Sequence, residues 1–135
     1  MDELIKAICT QYTGSSGANL RAKTGANIYL DTVPQNVTGT WLAFSIGEGN
    51  QEWSMGSSNR NYIQDWHVTF RLCTSGAITN LTVALPLLTA LYDDQLLTMT
   101  GYRMILAQRE SENTTRDFET EGYVMYVKYH FMTTN

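Results

Sequence analysis

Between Tyr62 and Thr74 the chain reads YIQDWHVTFRLCT, its longest run in which side-chain character alternates residue by residue. Tyr62, Trp66, Val68, Phe70 and Leu72 fall on one side, with Gln64 the only polar member, and Asp65, His67, Thr69 and Arg71 fall on the other. A period of two is that of a β-strand with one face in a core and the other in water or against a partner. The pattern predicts a long, central, antiparallel strand. It returns near the C-terminus, where Tyr123, Met125, Val127, Tyr129 and Phe131 alternate with Val124, Tyr126, Lys128 and His130, so two strands of matching design can share one apolar layer.

The remaining segments must cover that layer, and 135 residues leave room for one domain, residues 1–135, with 43% hydrophobic residues to build its core. A helix is expected from Met1 or Asp2 to Gly14, with Leu4, Ile5, Ile8 and Tyr12 as its apolar stripe and Asp2 and Glu3 near the positive end of its dipole. The stretch GSSGANLRAKTG, Gly14 to Gly25, has small residues and no period, and reads as a linker or as an arm ordered on a partner, with Arg21 and Lys23 its basic pair. Asn27 to Val33 and Trp41 to Ile46 read as neighbouring strands separated by turn residues around Pro34. Gly47 to Asn61 reads as a long excursion of the sheet with one apolar island, Trp53 to Met55. Trp53, Met55 and the nearby Arg60 are therefore candidate partner contacts beside Arg21 and Lys23.

A second helix is expected over Asn80 to Tyr92, where Leu81, Ala84, Leu85, Leu88, Leu91 and Tyr92 recur at three and four residues; Pro86 predicts a kink or a late start. Tyr102 to Gln108 reads as a strand, and Arg109 to Gly122 as a charged turn returning the chain into the last long strand. The expected architecture is α+β: an antiparallel sheet of about four or five strands with two helices packed against it.

Composition and motifs exclude several chemistries. A net charge of -4 without a basic stripe argues against holding nucleic acid through its phosphates. No apolar run approaches the roughly 20 residues of a membrane span, and the opening MDELIKAICTQY does not read as a targeting segment, so a soluble cytoplasmic chain is expected. Cys9 and Cys73 make neither a metal-ligand spacing nor a disulfide framework, and the N-x-[ST] sequons at Asn36, Asn80 and Asn113 follow from a Thr- and Asn-rich composition. Asp65 and His67 share one strand face at the spacing of a general-base dyad, but no nucleophile is evident, and a salt-linked outer surface explains the pair. Asp93 and Asp94 lack a third ligand, and His130 makes no metal spacing with His67. No catalytic, cofactor-binding or metal residue is expected, and an enzyme is not.

In order and texture the segments resemble the tail terminator, or tail completion, proteins of long-tailed bacteriophages. The residues that carry the resemblance are the short N-terminal helix, Val33-Pro34-Gln35 before WLAFSI, the YIQDWHVTFRLCT strand, the helix ending ALYDDQLLTMTGYRM, and the closing GYVMYVKYHF strand. The resemblance implies a structural subunit of the virion tail or neck, assembled in the host cytoplasm. Such a subunit closes into a hexameric ring, caps the tail tube, ends its growth and meets the head-tail connector, while genomic DNA passes through the lumen without specific binding. The nearest alternative is a head-tail joining or tail tube protein; a small ligand-binding domain or enzyme is a more distant one.

Overall fold

The computed structural model describes residues 2–34, 37–53, 62–117 and 122–134. In chain order the elements are α1 (Asp2–Thr13), a 3-10 turn (Ser15–Gly17), α2 (Ala18–Thr24), β1 (Ile28–Leu30), β2 (Thr40–Trp53), β3 (Tyr62–Thr74), α3 (Thr79–Tyr92), β4 (Thr98–Met99), β5 (Tyr102–Asp117) and β6 (Gly122–Thr134). The strands form one six-stranded sheet in the order β1-β2-β3-β6-β5-β4. The class is α+β, with six strands where four or five were expected and three α-helices where two were expected. The added strand is β4, of two residues and too short to show a period, while the strand expected over Asn27 to Val33 is confined to β1, Ile28–Leu30. β1 also pairs with β2 in parallel, so the sheet is antiparallel except at that edge.

The alternating strand is central: β3 lies antiparallel between β2 and β6 over nearly its whole length. Trp66, Val68, Phe70 and Leu72 are buried on one face, in register with Phe131, Tyr129, Val127 and Met125 of β6. The three helices cover this face. Phe70 meets Phe44 of β2, Tyr129 of β6 and Tyr92 of α3 with ring centroids 6.1, 5.6 and 4.6 Å apart. Tyr92 donates to the Ile8 carbonyl at 2.9 Å and Gln11 donates to the Leu91 carbonyl at 2.9 Å, which ties α3 to α1. Burial pushes the Tyr92 hydroxyl well above the usual phenol range, so it stays a donor. The buried Trp66 indole is satisfied by Thr133 Oγ1 at 3.0 Å.

Three segments depart from their expected form. Gly14 to Gly25 is not an arm: it folds as the 3-10 turn and α2, because Leu20 enters the core and Tyr12 reaches over to Thr24 Oγ1 at 2.7 Å and to the Gly25 carbonyl. Gly17 is required there, since a Cβ would sit 2.1 Å from the Tyr12 carbonyl oxygen. α3 begins at Thr79 and continues through Pro86, which lies with Thr82 on the exposed side of the helix. Arg109 to Asp117 is strand, not turn, because β5 stays paired with β6 as far as Asp117↔Gly122. Its residues from Gln108 to Arg116 are exposed on both faces, which removes the apolar alternation that marks a strand.

Candidate interaction surfaces

Arg21 is spent inside the subunit. Its Nη1 donates to the Tyr12 carbonyl and, at 2.6 Å, to the Gly14 carbonyl, placing a cation on the C-terminal end of α1 where the helix dipole is negative. Lys23 is exposed on the last turn of α2. Arg21→Ala is therefore expected to cost about 1–2 kcal/mol. Amide exchange should accelerate from Gly14 to Gly25 while β3 stays protected; unchanged exchange there would show that the two carbonyl bonds do not hold the turn. Trp53 ends β2 opposite Tyr62, so the excursion begins as a continuation of the β2–β3 hairpin. Met55 and Arg60 lie outside the described residues.

The face of the sheet without helices carries Asp65, His67, Thr69 and Arg71, as the alternation required. Asp65 does not orient His67. β6 places His130 directly across from His67, with the rings stacked 5.0 Å apart at 11°. Asp65 Oδ1 meets His130 Nε2 at 2.8 Å, and His67 Nδ1 meets Glu110 Oε1 of β5 at 2.8 Å. Glu110 reaches this face from a β-bulge between Arg109 and Ser111. Each imidazole thus has its own carboxylate, His130 from the adjacent β3 and His67 from β5 across the intervening β6, an arrangement that links three strands. Among those residues no three His, Cys, Asp or Glu side chains converge to hold a metal ion. Arg71 donates to the Asp31 carbonyl and fastens the end of β1. Replacing Asp65 by Asn and His67 by Gln together is expected to leave folding and assembly close to wild type, because the exposed His67–Glu110 pair contributes about 0–1 kcal/mol and an asparagine at position 65 can still hydrogen-bond His130. Loss of infectivity while rings still form on tubes would give this face a chemical role.

On the helix-covered face, a second polar cluster sits beyond the end of α3. Tyr129 donates to Asp93 Oδ1, Arg109 lies 3.5 Å from Asp93 Oδ2, and Arg109 Nη1 lies 2.6 Å from Glu112 Oε1. Desolvation first, and then the Asp93 carboxylate, push the Tyr129 hydroxyl well above the usual phenol range. Asp93 is a tether between α3 and the β5–β6 pair. Asp94, in the left-handed region at φ 56°, is the exposed turn residue.

What the sequence did not signal is where apolar side chains remain in water. Leu96, Tyr102 and Ile105 are exposed at the β4–β5 edge, where residues 96–99 and 102–105 line a shallow depression of about 570 Å³. Leu30 is exposed at the β1 edge, and Ile78 and Val83 are exposed on α3. Alternation and helical stripes locate a core face; they do not say which edge residues the chain fails to cover.

No protein-family model matches this chain, and no characterised protein matches it in sequence. Its fold is nevertheless shared. A chain in the virion of a native gene transfer agent particle superposes on 99% of this chain and 96% of its own length, with a TM-score of 0.73 at 13% identity. A second solved chain superposes on 98% of this one and 94% of its own, with a TM-score of 0.60 at 11% identity.

Proposed function

We propose that this protein is a non-enzymatic structural subunit of a tailed, phage-like particle, and that it acts as a tail terminator: a ring of copies that caps the tail tube, ends its growth and joins tail to neck. The observation that carries this reading is the likeness to a gene transfer agent virion chain over 99% of the present chain. It agrees with the order of segments that resembles the terminator family. A head-tail joining or tube protein is the neighbouring reading of the same likeness.

The central rows of the helix-free face suit a channel wall, since Asp65, His67, Thr69, Lys128 and His130 are polar, partly exposed and cross-linked by side chains, while Trp41, Cys73, Val124 and Met132 flank them on the same face. Among the described residues the face carries Asp65 and Glu110 against Arg71, Lys128 and, at its β5 edge, Arg103, with Glu110 brought there by its bond to His67. The acidity of the composition is thus not concentrated there. DNA would pass a wall of nearly balanced charge, without the clustered cations that hold phosphates. In this account the excursion that prolongs the β2–β3 hairpin, bearing Trp53, Met55 and Arg60, engages the tube.

The test is capping of polymerised tail tube. Added during polymerisation, the protein is expected to give tubes of limited length with density at one end. The Trp53→Ala/Met55→Ala variant, still folded, should bind more weakly by on the order of 2 kcal/mol or more per subunit contact. Unlimited tube growth in the presence of folded wild-type protein contradicts the terminator reading.

A further inference from the structure

The sheet ends in two short strands, and its exposed apolar residues are divided between them. At the β4 end, Leu96, Tyr102 and Ile105 are 61, 46 and 38% exposed around a depression that Leu97 and Met104 floor. At the β1 end, on the opposite edge of the six-stranded sheet, Leu30 is 40% exposed. Each edge also carries an exposed charge of opposite sign: Arg103 beside the depression and Asp31 beside Leu30. Neither has an ion-pair partner within the chain among the described residues. The backbone holds Asp31 in place, since its N–H donates to the Phe44 carbonyl at 2.9 Å and its own carbonyl accepts from Arg71.

We infer that these edges are the two halves of one contact between copies of this chain: the Leu96–Tyr102–Ile105 depression of one subunit receives Leu30 of the next, with Arg103 facing Asp31 of that next subunit. This rests on the ring reading above and assigns the surface by which the ring closes. An isologous contact would place each patch against itself, bringing Arg103 to Arg103 and leaving Leu30 in water. A head-to-tail contact instead joins unlike patches, covers both apolar edges and pairs the charges. It also suits a subunit with the two patches at opposite edges of one sheet, because a head-to-tail contact between unlike edges gives a ring when its repeated rotation closes.

Cysteine pairs across the two edges test this. Proteins carrying Leu30→Cys with Leu96→Cys, Tyr102→Cys or Ile105→Cys are oxidised after assembly on polymerised tail tube and run on non-reducing gels. At least one pair is expected to give a ladder of covalent oligomers that reductant abolishes, while wild type and each single variant give none. Tyr102→Asp, folded by circular dichroism, is expected to need a roughly tenfold or higher concentration to assemble. Rings in micrographs with no ladder from any of the three pairs would overturn this contact while leaving ring assembly intact. A covalent dimer from Tyr102→Cys alone would replace it with a two-fold contact, and cross-links from Tyr102→Cys to the tube protein would assign the depression to the tube. Absence of rings and ladders together overturns the ring reading and this contact with it.

Discussion

Val68→Asp is expected to abolish folding of the subunit, whereas Thr69→Asp, one residue along the same strand, should leave a cooperative unfolding transition within about 1 kcal/mol of wild type. Val68 is wholly buried between Ile46 of β2 and Tyr129 of β6. A carboxylate at that position would lose its water among groups with no donor to spare, a cost of several kcal/mol even if it takes up a proton, on the order of the total stability of a small domain. Thr69 faces the helix-free side, half-exposed, opposite Ser45 and Lys128, where an added carboxylate remains solvated and has a cation across the strand. Circular dichroism melts of the two variants decide it. A folded Val68→Asp protein beside an unfolded Thr69→Asp protein would invert the assignment of the sheet faces.

Phe70→Ala is the second large loss expected, about 3–5 kcal/mol. The ring is fully buried and meets Phe44, Tyr92 and Tyr129, so it is the point where β2, β6 and α3 converge. Its removal deletes apolar burial and leaves a cavity that cannot easily collapse, because α3 is held from its other side by the Tyr92 bond to Ile8 and the Gln11 bond to Leu91. Denaturant titration should show a lowered midpoint with little change in slope. A loss under about 1 kcal/mol would mean that α3 settles onto the sheet and that this aromatic contact does not fix the layer spacing.

The parts of this fold that the sequence announces are those whose burial repeats. Val68, Phe70 and Leu72 in β3, Val127, Tyr129 and Phe131 in β6, and Leu81, Ala84, Leu88, Leu91 and Tyr92 in α3 each sit where alternation or a helical stripe places them. Gly14 to Gly25 is illegible for a different reason: what orders it is a set of single side-chain contacts between residues 7 to 12 apart. These are the Arg21 bonds to Tyr12 and Gly14, the Tyr12 hydroxyl over Thr24, and one buried Leu20, and none of them makes a period. The strand reading stops at Gln108 because the far half of β5 is exposed on both faces and shows no apolar alternation, although backbone pairing with β6 and side-chain bonds from Arg109 and Glu110 hold it.

Candidate surfaces were less legible than the core. Asp65 and His67 were recognisable as occupants of one face, but their partners, His130 and Glu110, come from two other strands, and register decides the pairing. Arg21 had the look of a partner-seeking cation and proves to be an internal clamp. The exposure of the apolar edge at Leu96, Tyr102 and Ile105 carries no sequence signal, because hydrophobicity alone does not tell a covered residue from an uncovered one.

The central claim, that this chain is a ring-forming subunit of a tailed particle, is tested most directly by an electron-microscopy reconstruction of purified particles whose protein content has been established by mass spectrometry. The account predicts that this protein is present in the particles and that its density forms one closed ring of copies around the DNA channel at the head-proximal end of the tail. The helix-free sheet face should line that channel, and the β1 edge of each copy should meet the β4 edge of the next. Particles of normal composition and length that lack the protein, or that carry it away from the tail axis, would contradict the account.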